Sequence, residues 1–243
     1  MDAQRIPDDL KEARPGEASA IYVVLPAYNE GRVIAENVRP LIEAGYKVVV
    51  VDDCSTDQTW EILGRFPLAR IRHGTNLGAG AAAETGMQYV RRLGGGIVVQ
   101  MDADGQHDPS EIPSMIEPIL AGRADIVFGS RFLRKAHLLQ VPPAKRVLLR
   151  GGRIFSGLLS GVWLSDTHNG YRALSNKALF AIHLRENGFA HCTEILDEVR
   201  RASLRYAEVP TAVRYTDYSR AKGQPIWNAF NIALDLILRK LFQ

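Results

Sequence analysis

The sequence predicts an α/β fold in which a mainly parallel central sheet is covered by helices on both faces. Apolar runs of strand length at Ile21–Leu25, Lys47–Val51 and Ile97–Met101 read as strands buried on both sides. Segments of helical spacing separate them, and alternating strands and helices favour a parallel sheet. Each run also ends in polar residues: Pro26-Ala-Tyr-Asn-Glu30, Asp52-Asp53 and Asp102-Ala-Asp104. In such a sheet these ends share one edge, where ligands gather.

The elements follow in order. Residues 1–18 are mostly polar and charged, so a flexible lead is expected, without the apolar run of a signal peptide. Glu30 to Glu43 carries Val33, Ile34, Val38, Leu41 and Ile42 at helical spacing, with Gly45 as a stop. Ser55 and Gln58 have the form of a capping box for a helix from Thr59 to Arg65. A short strand is expected at Ala69–Arg72. Asn76-Leu-Gly-Ala-Gly80 is a turn opening a helix from Ala81 to Arg92, which the run Gly94–Gly96 ends. Asp125–Phe128 is a fourth strand.

Beyond residue 130 the regularity weakens. An amphipathic helix is expected at Lys145–Trp163, a helix at Asn187–Arg200, a strand at Tyr206–Val213 and a last helix at Pro225–Phe242. No linker divides the chain, so residues 19–224 form one domain and 225–243 a C-terminal amphipathic helix. Asn228, Asn231, Asp235 and Arg239 line one stripe of that helix. Its apolar remainder packs on the domain, pairs with a second copy as a homodimer, or lies in a membrane interface.

At 243 residues, 46% hydrophobic and 23% charged, the chain has the balance of a soluble domain with a full core, which excludes disordered and collagen-like classes. Cys54 and Cys192 are too few for a disulfide framework and read as reduced thiols in the cytoplasm. The longest uncharged stretch of the middle, Ile154–Ser165, is short of the ~20 apolar residues of a membrane span. Charge is uneven. Between Asp125 and Asp166 there is no acid but seven bases: Arg131, Arg134, Lys135, Lys145, Arg146, Arg150 and Arg153. The rest of the chain then carries 3 − 7 = −4. Such a one-sign field favours an anionic partner, either a lipid-linked phosphate or the cytoplasmic face of a membrane touched peripherally. Without interleaved aromatics it does not suit nucleic acid.

Asp102 and Asp104, one residue apart after a buried strand, can share a hard divalent cation, Mg²⁺ or Mn²⁺, with help from the oxygen of Gln106. Asp53 at its strand end can accept from a base N–H while a neighbour holds ribose hydroxyls; equally, Asp53 and Ser55 can cap the next helix. Gly78-Ala-Gly80-Ala-Ala-Ala83 meets the loose G-x-G-x-x-A form of a dinucleotide site. It follows two earlier strand units instead of the first, so close backbone packing is the simpler reading.

Leu25-Pro-Ala-Tyr-Asn-Glu30, Val50-Val-Asp-Asp-Cys-Ser-Thr-Asp57, Asn76-x-Gly78-x-Gly80, Met101-Asp-Ala-Asp-Gly-Gln-His-Asp-Pro109 and Gly129-Ser-Arg131 together resemble the family 2 glycosyltransferases of GT-A fold. The nearest subgroup is the dolichyl-phosphate mannose synthase-like enzymes. Asp166-Thr-His-Asn-Gly-Tyr-Arg172, Glu208-Val-Pro210 and Tyr218-Ser-Arg-Ala-Lys-Gly-Gln224 continue the match, which spans about residues 20 to 225. The resemblance implies a donor-nucleotide site of Pro26, Ala27, Tyr28, Glu30, Asp52, Asp53, Asn76, Gly78, Asp102 and Ala103. Asp102, Asp104 and Gln106 would hold the metal, and Arg131 would face the acceptor or donor phosphates. Two features depart from the family: membrane spans common in the subgroup are absent, and Ala79 replaces the usual basic residue of the Asn-x-Gly loop.

The activity expected is metal-dependent transfer of a sugar, with inversion, from a UDP-, GDP- or dTDP-linked donor to a polyprenyl phosphate. The alternatives are transfer to a hydroxyl of a cell-surface glycan or lipid, and a non-catalytic nucleotide-sugar-binding protein. A phosphate acceptor is already ionised near neutral pH, whereas a hydroxyl needs a base. Glu194 and Asp166 are the candidate bases.

Overall fold

The computed structural model describes residues 20–133, 157, 160–167, 169–188 and 190–214. In chain order its elements are β1 (Ile21–Ala27), α1 (Ile34–Glu43), β2 (Lys47–Asp52), α2 (Thr59–Leu63), β3 (Ala69–Arg72), α3 (Ala79–Arg92), β4 (Ile97–Gln100), α4 (Ile112–Leu120), β5 (Ile126–Ser130), β6 (Arg172–Leu174), α5 (Asn176–Ala181), α6 (His191–Arg201) and β7 (Tyr206–Pro210). The strands form one sheet in the order β3-β2-β1-β4-β6-β5-β7. All pairings are parallel except those of β6, which runs antiparallel to both β4 and β5.

Alternation along the strands builds two cores. Ile21, Val23 and Leu25 of β1 join Val99 of β4 on one face, under Ile34, Val38 and Leu41 of α1 and Ile112, Met115 and Ile116 of α4. Tyr22 and Val24 join Val98 on the other face, under Ala83, Met87 and Val90 of α3 and Ile195, Leu196 and Val199 of α6. Apolar side chains leaving water on both faces stabilise the sheet by about 25 cal/mol per Å², so the central strands show no polar alternation until their carboxyl ends. The expected sheet with helices on both faces is what forms.

Local corrections have physical causes. The Ser55–Gln58 capping box does not form. Ser55 Oγ instead accepts from Asn29 N at 2.9 Å, and Asp57 Oδ1 accepts from Thr59 N at 2.9 Å to open α2. Strand β7 stops at Pro210, and Val213 keeps only an isolated bridge to His107. Helix α6 begins at His191, later than expected: Asn187 O accepts from Gly80 N at 2.8 Å and Ala81 N at 3.3 Å, at the start of α3. No helix among the described residues is long and apolar enough to cross a membrane. The expected lead at 1–18, the helix at Pro225–Phe242, most of the helix at Lys145–Trp163, and Arg134, Lys135, Lys145, Arg146, Arg150 and Arg153 lie outside the described residues.

Candidate active site

The register places the acidic turns side by side. β1 lies between β2 and β4, with Ala27 opposite Asp52 and Val24 opposite Gln100. The turns after all three strands therefore leave from one edge of the sheet. Cross-links hold them there: Asn37 Nδ2 donates to Ala103 O at 2.6 Å, Glu30 N to Thr59 Oγ1 at 2.8 Å, and Thr56 N to Asn29 Oδ1 at 2.8 Å. Pro26, Ala79, Gln100, Asp102, Gly170, His191 and Cys192 line a cavity of about 80 Å³ at this edge. A Cβ at Gly170 would stand 2.6 Å from Asp102 Oδ2, so any larger residue there would displace that carboxylate.

Two carboxylates dominate the electrostatics. Half of the Asp102 side chain reaches solvent, yet dense surrounding protein still works against its charge. The hydrogen bond from His107 (3.3 Å), with positive charge on His107, Arg172 and His191, outweighs that and holds the carboxyl below its ordinary range. Asp104 moves the other way. Burial first, then the charge of Asp102, with a smaller push from Glu30, lifts it to about 6 against the Gln106 N–H and His107. Carboxylates from the β1 and β4 ends thus feel one another. A hard dication relieves such crowding, so Asp102 and Asp104 fit one chemically. Among the described residues no group of three His, Cys, Asp or Glu side chains has metal-holding geometry. The remaining ligands would have to be the Gln106 oxygen, water and substrate oxygens.

The other candidates divide. In the turn after β1, Tyr28 is 41% exposed while Glu30 is buried. Asp52 is fully buried, its Oδ1 accepting from Ser55 N at 3.2 Å. Arg72 Nε lies 3.1 Å from Asp52 Oδ2, near enough for an ion pair but off-line for a hydrogen bond. Asp53 turns inward: its oxygens accept from Leu77 N (2.8 Å) and Gly78 N (2.7 Å), and His73 Nδ1 sits at 2.7 Å. With Asn76 Nδ2 on Asp53 O (3.2 Å), this carboxylate shapes the Asn76–Gly78 loop. The glycines there serve packing: a Cβ on Gly78 would meet Asn187 O at 2.4 Å, and on Gly80 would meet Glu186 O at 2.0 Å.

Arg131 and Asp166 come together but bind each other. Asp166 accepts from Arg131 Nε, Nη2 and N at 2.6, 2.7 and 3.1 Å. Glu194 accepts from Arg185 N at 2.8 Å and Glu186 N at 2.9 Å, and burial raises its carboxyl above the ordinary value despite these donors. Sequence reasoning missed Gln100, Arg172 and His191. The signal available was a glutamine ending the apolar run Ile97-Val-Val-Gln100.

The fold is that of the GT-A glycosyltransferases. Glucosyl-3-phosphoglycerate synthase from Mycobacterium tuberculosis, solved with Mn²⁺, UDP and glucosyl-3-phosphoglycerate, superposes with a TM-score of 0.63 at 22% identity, over 89% of this chain and 77% of that one. The chain belongs to glycosyl transferase family 2, whose profile matches residues 22–181, and it is a glycosyltransferase. The UDP-N-acetylglucosamine–dolichyl-phosphate N-acetylglucosaminyltransferase of Methanococcus voltae is 32% identical over 241 residues, covering 91% of this chain and 96% of the relative. The dolichol-phosphate mannosyltransferase of Pyrococcus furiosus is 30% identical over 221 residues, covering 85% and 60%.

Proposed function

We propose that the chain transfers a sugar, with inversion, from a nucleotide-sugar to a polyprenyl phosphate, with Mg²⁺ or Mn²⁺ bound at Asp102, Asp104 and Gln106. One observation carries the reading: carboxylates from separate strand ends, Glu30, Asp102 and Asp104, share one edge closely enough to perturb Asp104. A divalent metal there supplies countercharge for the departing diphosphate. The exposed Tyr28 suits a base, and the Pro26–Ala27 backbone with Asp52 and Asp53 shapes the nucleotide cleft. Asn76, Gly78 and Ala103 contribute backbone and amide contacts beside it. The acceptor class follows from the dolichyl-phosphate and dolichol-phosphate relatives and from the acid-free basic stretch at 126–165. An ionised phosphate attacks unaided, so no base is needed. Membrane contact through that stretch, and pairing of two copies through residues 225–243, belong to the same reading.

A second reading, transfer to a hydroxyl, is favoured by one observation: Glu194 is half-buried with a raised carboxyl, as a general base would be. The test uses the full chain with UDP-, GDP- and dTDP-sugars, Mn²⁺ and a short-chain polyprenyl phosphate. Release of nucleoside diphosphate only when the lipid phosphate is present is expected. Binding of donors without turnover on any acceptor would leave a nucleotide-sugar-binding protein.

A further inference from the structure

His73, the first residue after β3, joins three separate parts of the chain. Its Nδ1 lies 2.7 Å from Asp53 Oδ1, its Nε2 lies 3.0 Å from Thr85 Oγ1 on α3, and its backbone N donates to Asp52 O at 2.9 Å. A carboxylate accepts, so Nδ1 carries the hydrogen and Nε2 is left to the Thr85 hydroxyl. The His73 and Asp53 side chains are 8% and 4% exposed, so bulk water does not compete for the bond between them. The turn held this way is strained. Cys54, between Asp53 and Ser55, has a φ of 63°, in the left-handed region that a side chain enters only at a cost. Such a turn keeps its aim only where its surroundings fix it. Two consecutive residues at the end of β3 do so: Arg72 Nη2 donates to Ser55 O at 2.8 Å, and His73 holds Asp53. Asp53 in turn accepts from Leu77 N and Gly78 N, so the same imidazole also fixes the loop before α3.

We infer that His73, backed by Thr85, is a positioning residue for the donor nucleoside, holding the Asp53 turn and the Asn76–Gly78 loop as one wall of the cleft. The inference rests on the function proposed above, in which both segments belong to the nucleotide site. His73 acts through Asp53 and touches no ligand itself. The wall stands apart from the metal turn: Asp53 follows β2, Asp102 follows β4, and β1 lies between them. Two strand spacings amount to about 10 Å. Loss of the His73 bond therefore loosens the nucleoside end of the cleft and leaves the cation end in place. A wall already ordered before binding gives tighter binding, because less freedom is lost when the ligand arrives.

The experiment uses the full chain. Mn²⁺ affinity is measured by electron paramagnetic resonance, and affinity for UDP, GDP and dTDP at saturating Mn²⁺ by calorimetry. His73→Leu should bind the wild type's tightest nucleotide at least about tenfold more weakly, the scale of one buried hydrogen bond. Its Mn²⁺ affinity should stay within about twofold of wild type. His73→Asn, whose Nδ2 can stand where Nδ1 stood, should restore nucleotide affinity to within about threefold. Unchanged nucleotide affinity in His73→Leu overturns the inference, as does an equal loss of Mn²⁺ and nucleotide affinity, or an asparagine variant as weak as the leucine one. If His73→Leu does not fold, Thr85→Val decides: nucleotide binding should weaken about threefold or more with Mn²⁺ binding intact, and wild-type affinity overturns the inference. A wild type that binds none of the three nucleotides sinks the donor site and the role of His73 together. Variants that bind as tightly as a binding-competent wild type sink only the role of His73.

Discussion

Arg131 and Asp166 clasp one another through two parallel hydrogen bonds, Nε to Oδ2 at 2.6 Å and Nη2 to Oδ1 at 2.7 Å, with side chains 7% and 0% exposed. Ser165 and Glu208 extend the cluster, Glu208 Oε1 accepting from Ser165 N at 2.7 Å. Removing one member leaves the other charge buried, which costs about 3–5 kcal/mol. Arg131→Met should therefore lower stability by about that amount in urea titration, and Asp166→Asn by a comparable amount. An Asp166→Asn protein of wild-type stability whose turnover falls a hundredfold would instead return Asp166 to the role of base.

Metal affinity should depend on acidity through Asp104. Its folded carboxyl is raised to about 6, so below that pH a proton occupies the group that a cation needs deprotonated. Mn²⁺ binding, followed by electron paramagnetic resonance, should be flat above about pH 7 and weaken roughly tenfold per pH unit below 6. Asp104→Asn should bind weakly throughout, without that break. A flat profile in the wild type would remove Asp104 from the ligand set.

Asp125 gives a pH dependence of a different origin. It accepts from Arg205 N, Nε and Nη2 at 2.9, 3.1 and 2.9 Å and from Lys177 Nζ at 3.2 Å, joining β5 to the start of β7. The Arg205 hydrogen bond, more than burial opposes it, holds this carboxyl far below the ordinary range. A depressed folded value means the stabilisation is complete above the unfolded value, about 3.9, and is lost as pH falls towards the folded one. Asp125→Asn should cost about 1.5–3 kcal/mol at pH 7. The gap between the two proteins should narrow steadily from pH 5 to pH 2 in chemical denaturation. A gap that widens on acidification would contradict the assignment.

Glu194→Gln separates the two acceptor readings. Loss of a general base costs about 10²- to 10⁴-fold. With an isoprenyl phosphate acceptor the fall in kcat should be under about tenfold, since glutamine keeps the side chain's shape and one of the two oxygens that accept from Arg185 N and Glu186 N. A larger fall, with KM for donor unchanged, would favour the hydroxyl acceptor.

The sheet's central strands were legible because β1, β2 and β4 are apolar on both sides and stop abruptly at carboxylates. β6 was not: it is three residues long, opens with arginine, and takes its strand character wholly from neighbours β4 and β5. Helix α4 was missed because Pro113 and Pro118 interrupt its pattern, although the first sits in the opening turn, where proline is tolerated. In the site, residue types announced the acidic turns well. Direction was hidden: nothing local to Asp53 says that its oxygens face Leu77 and Gly78, 24 and 25 residues away. Glycine spacing was ambiguous for the same reason, since Gly78 and Gly80 answer to carbonyls of Asn187 and Glu186, far along the chain.

Because β6 runs against its neighbours, its first residue, Arg172, lies level with Gln100, the last residue of β4, and with Phe128, two residues before the end of β5. The polypeptide that departs after Ser130 therefore comes home to the sheet edge it left. Its two anchors, Ser130 and Arg172, stand at the edge of the sheet that also carries the acidic turns. A longer or shorter detour between those anchors would leave the sheet register, and the acidic turns that it sets, in place.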